Sequence, residues 1–510
     1  MSNHLLECVS PGHYRLNQST WLVGPRYELQ GFVGSGSYGE VCRAVDLYTD
    51  QIVAIKRIPN IMESPVLVKR VLREVCIMRR LRHPYIITLT DIFCNSPTNN
   101  SGVDLYIVTE FAERGDLCDY KGPLSPDDVR SLMWQLLVAV NYMHSCWVWH
   151  RDIKSGNTLL TKNMQIKLCD FGLARSAEET ILDDITPKKK TLSRQYTKTV
   201  VTLCYRAPEV IMSQGEYNSA IDIWSVGCIF WELLMKSIYN YQQWIPLFYV
   251  RGEPVTPEDG QNYVKDGLSA LADRLNVIFD VIGTPCWNDV QSVPGQKWRD
   301  YLKRLPGRAG NLRNDLVGHA DNEAIDLLCR MLEFNPSRRC SSEEALNHAY
   351  FKNMRRSPDA RQFMSEVSMP EHTTLVLEEL ERRFEQSSNS TEGGRVLMGF
   401  LTNEILYHRM EDYIRRSFLG SFQLVRHKIM KQKASNVRDH TGVEQEKNAN
   451  KLRPVSGKGM QITNTEAEPA KKRVRIANVK RDFPLKSAAL LAKKKGARKS
   501  KPTDAARCKR

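Results

Sequence analysis

Apolar positions over residues 27–351 alternate with turn signals and fall into two regimes, strand-like at first and helical afterwards. Between Phe32 and Ile58, the residues Val41, Val45, Ile52, Val53 and Ile55 sit among turns, which predicts strands. From Val66 to Leu81 the period becomes helical, with Val68, Val71, Leu72, Val75 and Met78 on recurring positions. Leu105 to Thr109 is a short apolar run of the kind that makes a buried strand. Asp127 to His144 reads as a helix entered through Ser125-Pro126, a capping residue and a proline suited to the first turn. A longer helical half follows from Ile221. The expected class is α+β, a β-rich N-terminal lobe joined to an α-rich C-terminal lobe, with no internal repeat.

The character changes after Phe351. Thr374 to Gln386 fits one amphipathic helix, and Ser387 to Gly394 is a polar linker. Leu397, Leu401, Ile405, Leu406, Met410, Tyr413 and Ile414 recur at helical spacing and predict a second helix. From about Lys431 the chain is polar, rich in lysine and poor in aromatics, which predicts disorder. Four segments result: an extension over 1–26, a folded core over 27–351, a helical extension over 352–425 and a basic tail over 426–510.

The 510 residues carry a net charge of +15 that is unevenly spread. Residues 426–510 hold 25 Lys and Arg against 7 Asp and Glu, whereas the preceding 425 hold 48 against 51. The basicity therefore belongs to the tail and says nothing about the folded part. Lys471-Lys472-Arg473-Val474-Arg475 and Lys493-Lys494-Lys495 with Arg498-Lys499 read either as nuclear-import clusters or as solvated charge. Location in cytoplasm, nucleus or both is the expectation. Nucleic-acid contact is the weaker reading of the tail, because only Phe483 interrupts the charge there. No run of eighteen apolar residues exists, so no membrane span is expected, and Met1 to Thr20 does not resemble a secretion signal. The 13 cysteines lack paired spacing, which suits a reducing compartment.

The chemistry is concentrated in His150-Arg151-Asp152-Ile153-Lys154-Ser155-Gly156-Asn157, followed by Asp170-Phe171-Gly172. One carboxylate, Asp152, can take a proton from a hydroxyl, and Lys154 can neutralise a phosphate oxygen. Asn157 and Asp170 can hold magnesium. Upstream, Gly34-Ser35-Gly36-Ser37-Tyr38-Gly39-Glu40-Val41 is a glycine loop that lets backbone close over phosphates. Dinucleotide folds use a similar loop to open a helix, but here strand-like residues follow. Val53-Ala54-Ile55-Lys56 then places a lysine on the next strand. Glu74, on the following helix, either pairs with Lys56 or is solvated beside Arg73.

These motifs, with Ala207-Pro208-Glu209, resemble eukaryotic protein kinases, and within them the group of mitogen-activated and cyclin-dependent kinases. The resemblance covers about residues 23–351. Val23-Gly24-Pro25-Arg26-Tyr27 and Lys69 to Glu74 are similar to the ERK type, whereas Tyr196-Thr197-Lys198 and Val200 to Leu203 are similar to cyclin-dependent kinases. It implies a bilobal kinase fold over 27–351, with an activation segment over 170–209 and an insertion at about 236–266. It implies ATP as phosphate donor with Mg2+, and transfer to protein Ser or Thr hydroxyls in a signalling or growth pathway. Asp152 is then the base, Lys154 steadies the transferring phosphate, and Lys56 paired with Glu74 holds the α- and β-phosphates. Val33, Gly34, Ser35, Gly36, Gly39, Val41, Ala54 and Lys56 line the nucleotide. Thr109 stands behind the adenine, backbone groups of Glu110 and Ala112 meet its edge, and Asp116 is a candidate for the ribose. Arg339 pairs with Glu209 as a brace.

The same resemblance makes Thr197 an activating phosphosite, met by Arg73, Arg151 and Arg175. It makes Val201, Thr202 and Arg206 a pocket selecting proline after the phosphoacceptor. Proline lacks an N–H, so a pocket without an acceptor penalises other residues. Substrates with Ser/Thr-Pro sites and an upstream kinase are the implied partners. The chain departs from the ERK pattern at Thr197-Lys198-Thr199, where a Thr-x-Tyr pair would stand, and at Ile181 to Lys190, which lengthens the segment. Lys352 and Arg355-Arg356 occupy the region of an acidic docking patch, with Asp359 the acidic residue there. The cyclin-contacting helix signature is missing, so no cyclin is implied. Cys169 reads either as an inert buried thiol or as a reactive one. The insertion, with Tyr239, Tyr241, Trp244, Phe248 and Tyr249, reads either as a partner surface or as a locally packed extension. A pseudokinase would need a lost base, lysine or metal ligand, and each is present. A nucleic-acid-binding protein would rest on the tail alone.

Overall fold

The computed structural model describes residues 5–36, 39–96, 102–176, 192–193, 203–212, 216–239, 246–249, 268–354 and 398–410. The helix expected over Thr374 to Gln386, the linker after it, the Ile181–Lys190 extension and the basic tail lie outside these residues.

The chain opens with a three-stranded antiparallel meander: β1 (Leu6–Ser10), β2 (His13–Leu16) and β3 (Ser19–Leu22). Next come β4 (Tyr27–Gly36), β5 (Gly39–Asp46) and β6 (Gln51–Ile58). Helix α1 (Pro65–Arg80) intervenes before β7 (Leu89–Asn95) and β8 (Asp104–Glu110). The strands form one antiparallel sheet in the order β4-β5-β6-β8-β7. Ser64 starts α1 by accepting the Leu67 N–H (3.3 Å), and Pro65 occupies a position whose N–H would be orphaned anyway.

The sheet is covered on both faces. Its outer face packs Tyr27, Phe93 and Tyr106 as a stacked ladder, with ring centres 5.9 and 5.0 Å apart. The meander closes over it with Tyr14, Leu16, Trp21 and Val23, all buried. The period-2 alternation of these residues is visible in the sequence, but such short strands are recognisable only once the ladder they cover is known. The inner face joins α1 and continues into the main core through Ile58 and Ile107.

The lower lobe starts with α2 (Pro126–Ser145), where Ser125 and Asp128 form a reciprocal capping box. Short strands follow: β9 (Val148–Trp149), β10 (Thr158–Leu160), β11 (Ile166–Leu168) and β12 (Arg175–Ser176). β10 pairs with β11 and β9 with β12. The helices are α3 (Pro208–Met212), α4 (Ala220–Tyr239), α5 (Leu268–Ile282), α6 (Trp287–Ser292), α7 (Gln296–Lys303), α8 (Asn322–Met331) and α9 (Ser342–Leu346). α4 is apolar nearly all round and buried, with Trp224 and Phe230 fully enclosed, as a central helix must be.

The insertion begins as a continuation of α4 as far as Tyr239, whose hydroxyl reaches Asp315 O (3.4 Å). Phe248 is buried and stacks on Trp224 with ring centres 5.2 Å apart. Among its described aromatics, then, Phe248 is packed locally, whereas Tyr239 and Tyr249 are exposed. The helix expected from Leu397 onward is present over 398–410 and is called α10; Tyr413 and Ile414 lie outside the described residues. Among the described residues no helix is long and apolar enough to cross a membrane, and the cysteines are free thiols.

Candidate active site

Strand register assembles the upper wall. Gly34 lies opposite Val41, Val41 opposite Lys56, and Lys56 opposite Ile107. Ala54 lies opposite Thr109 one row along. Side chains two apart share a face, so Ala54 and Lys56 point to the same side of β6 while Val53 and Ile55 enter the outer core. The two arms of the glycine loop pair as antiparallel strands, with Gly36 opposite Gly39. A Cβ at Gly39 would stand 2.1 Å from Arg57 O, so the hairpin closes on its neighbour only with glycine there. Val33, Ser35 and Gly36 are exposed along the loop edge, and a Cβ at Gly34 would meet nothing.

The Lys56 ammonium meets both Glu74 carboxylate oxygens, at 3.0 and 3.1 Å. This settles the two readings of Glu74 in favour of the ion pair. Burial alone would depress the Lys56 ammonium, but the Glu74 and Asp170 carboxylates outweigh it and hold it above its ordinary value.

The lower wall is the loop between β9 and β10. Arg151 (φ 69°) and Asp170 (φ 64°) both take left-handed backbone, a strain that persists only where surroundings impose it. At Arg151 it is Asp222, on the first turn of α4, that imposes it. Its carboxylate accepts the His150 and Arg151 N–H groups (2.9 and 2.8 Å) and the His144 ring (2.9 Å). Burial would raise that carboxyl, yet His144 and these donors hold it below its ordinary value. The sequence reading did not single out Asp222; its one signal is an acid inside the apolar run Ile221 to Trp224.

Asp152 Oδ2 accepts from the Lys154 ammonium (2.9 Å) and from Asn157 Nδ2 (3.0 Å). Asn157 Nδ2 also meets Asp152 O (2.8 Å), so the amide nitrogen is turned inward. Burial pushes the Asp152 carboxyl above its ordinary value, against the pull of Lys154. Asp170 behaves oppositely: burial would raise it, but Lys56, Lys154 and His150 hold it below the usual carboxylate range. The two carboxylates and two lysines therefore share one site, with opposite perturbations. Asp170 offers a carboxylate and Asn157 an amide oxygen. Oxygen donors alone suit a hard cation such as Mg2+, so the residues fit the implied metal.

At the hinge, the Glu110 carboxylate is held by Lys167 (2.8 Å) and by Thr88 N–H (2.9 Å). Its own N–H donates to Thr88 O (3.2 Å), so a ligand cannot use that donor. Ala112 is buried, and Thr109 and Asp116 are half-buried. Burial pushes the Asp116 carboxyl up, and it accepts the Asp119 N–H at 2.8 Å. Cys169 donates to Asn157 O (3.3 Å), and burial together with Asp170 pushes its thiol up, which favours the inert reading.

Arg73, Arg151 and Arg175 converge. Each donates to one of three successive carbonyls, Gly172 (3.3 Å), Leu173 (3.1 Å) and Ala174 (2.9 Å). Burial and the Arg73 charge pull Lys69 and Arg70, on the same helix, below their ordinary values, a mark of crowded positive charge. Thr197, Val201 and Thr202 lie outside the described residues; Arg206 is half-buried. Arg339 pairs with Glu209 through both terminal nitrogens (2.6 and 3.0 Å).

A two-lobed domain with a glycine hairpin, a lysine–glutamate pair and two convergent carboxylates defines a protein kinase. The family model described as protein kinase domain matches residues 27–351, and the chain belongs to that family. Its relatives place it in the mitogen-activated protein kinase group, as a serine/threonine protein kinase of signalling. It is 34% identical to mitogen-activated protein kinase 14 of Arabidopsis thaliana over 345 residues, covering 67% of this chain and 84% of that one. It is 31% identical to mitogen-activated protein kinase 7 of the same plant over 402 residues, covering 78% and 94%. It is 35% identical to mitogen-activated protein kinase 4 of Oryza sativa subsp. japonica over 341 residues, covering 66% and 82%. ATP as substrate, protein acceptors and an upstream kinase go with that membership.

Proposed function

We propose that this kinase is proline-directed and is switched on by a phosphate at Thr197. The observation that carries the active-site part is the focus of Lys154 and Asn157 on one Asp152 carboxylate oxygen. Asp152 accepts the proton of the acceptor Ser or Thr hydroxyl as that hydroxyl's oxygen attacks the γ-phosphorus of ATP, while the bond from that phosphorus to the β–γ bridging oxygen breaks and ADP leaves. Lys154 offsets charge on the transferring group, and Lys56, oriented by Glu74, holds the α- and β-phosphates. Asn157 and Asp170 would hold Mg2+, which neutralises phosphate oxygens when bound.

The Thr197 reading is supported by the three arginines gathered at residues 172–174. A phosphate brings about −1.5 to −2 charge and accepts one to three charge-assisted hydrogen bonds. It would tie α1, the catalytic loop and the activation segment together. Thr197→Ala lowers turnover by at least about tenfold, the weight of one such bond. A variant as active as the phosphorylated parent would overturn the switch.

Proline selection is supported by the run Val200-Val201-Thr202-Leu203 with Arg206. A degenerate Ser/Thr peptide library reads it directly. Proline at the position after the acceptor is the expected preference, and indifference there would sink the idea.

A further inference from the structure

Helix α10 is far from the active site in sequence, but it lands on α1. Leu401 is fully buried in the main core. The Glu404 carboxylate accepts from Arg79 Nε (2.7 Å) and from both terminal nitrogens of Arg80 (3.1 and 3.0 Å). All three side chains are at most 10% exposed, so this is a buried charge cluster and not a surface pair. The His408 ring meets Thr90 O on β7 (3.2 Å), and the Arg79 guanidinium lies over the Tyr407 ring (5.8 Å).

We propose that Glu404 is a positioning residue for phosphotransfer, holding the last turn of α1 so that Glu74 stays on Lys56. Glu74, Arg79 and Arg80 belong to one helix. At about 100° per residue, the two arginines stand roughly 140° and 240° around the axis from Glu74. Glu74 thus faces the cleft while α10 grips the opposite side. Arg80 also donates to Cys76 O (3.0 Å), which ties the grip into the body of α1. Burial would raise the Glu404 carboxyl, yet Arg80 and Arg79 hold it below its ordinary value, so it stays charged at neutral pH. Removing that charge leaves two adjacent buried guanidiniums repelling each other. A rigid helix relieves such repulsion by shifting its end toward water, and Glu74 moves with it. The docked α10 and the closed Lys56–Glu74 pair occur together in this structure.

The inference rests on Lys56 and Glu74 being the pair that holds the phosphates. It is independent of proline selection and of Thr197. The test uses the full chain, with kcat, KM for ATP and Tm measured for each variant well below its melting point. Glu404→Gln keeps the shape and removes the charge; it lowers kcat/KM for ATP roughly tenfold. Glu404→Arg lowers it further. Combining Glu404→Arg with Arg79→Glu and Arg80→Glu restores most of the loss, which a purely steric role would not do. In a Glu74→Gln background, Glu404→Gln adds less than about twofold, because the pair it serves is already gone. Unchanged or increased activity in folded Glu404→Gln would overturn the proposal, as would an undiminished loss in the Glu74→Gln background. If Glu74→Gln itself leaves activity intact, the pair assignment falls, and the dependence on Glu404 falls with it.

Discussion

Replacing Asp152 with Asn lowers turnover by about a thousandfold while ATP affinity stays within about twofold of the parent, the loss being that of a general base. Asn has the same shape and can still accept from Lys154 or Asn157, so the loop keeps its geometry. What disappears is the ability to take a proton. The carboxylate is suited to that task because burial pushes it up while Lys154 keeps it oriented at 2.9 Å. On the proposed reading, nucleotide contacts belong to other residues, chiefly Lys56 and the glycine hairpin. Turnover with a basic protein acceptor, beside a nucleotide titration, reads both quantities. Equal turnover by mutant and parent, at matched purity, would remove Asp152 from the chemistry.

Arg339→Ala is expected to cost about 3 to 5 kcal/mol, the penalty for stranding one member of a buried ion pair. The Arg339 side chain is fully enclosed, at 0% exposure, with Glu209 at 9%. Its guanidinium also meets Ala220 O (2.8 Å) and Glu333 O (3.0 Å) and lies over the Trp224 ring (5.0 Å). Truncation therefore strands the Glu209 carboxylate away from water and removes a donor from each of these carbonyls. At about 2–4 °C per kcal/mol for a domain near this size, Tm falls by about 10 °C. Arg339→Lys rescues little, because an ammonium cannot reproduce the planar two-toothed contact. The double variant Glu209→Leu/Arg339→Met is less damaging than Arg339→Ala, since no lone charge remains. A calorimetric Tm within about 2 °C of the parent for Arg339→Ala would show that the pair carries no such weight.

The legible parts of this protein are those whose signals are local. Ser125-Pro126 announces its helix because a cap needs only the next three N–H groups. Asp152, Lys154 and Asn157 could be read together because a six-residue span brings them onto one carboxylate. The glycine hairpin could be told from a helix-opening loop because strand residues follow it. The illegible parts are contacts across long stretches of chain. Asp222 sits 72 residues from the backbone N–H of His150, and Glu404 is 324 residues from Arg80. The opening meander shows its alternation, but only the aromatic ladder on β7 and β8 reveals what it covers.

Sequence alone determined the chemical inventory, which groups can carry charge, accept a proton or bind a cation, because composition and short spacing suffice for that. Tertiary structure alone decided which of those groups meet and in what state of charge. Burial gives a carboxylate its meaning: it lifts Asp152, while neighbouring cations hold Asp170 and Glu404 down. Neither the depth of burial nor the identity of a distant neighbour is written in any local run of residues.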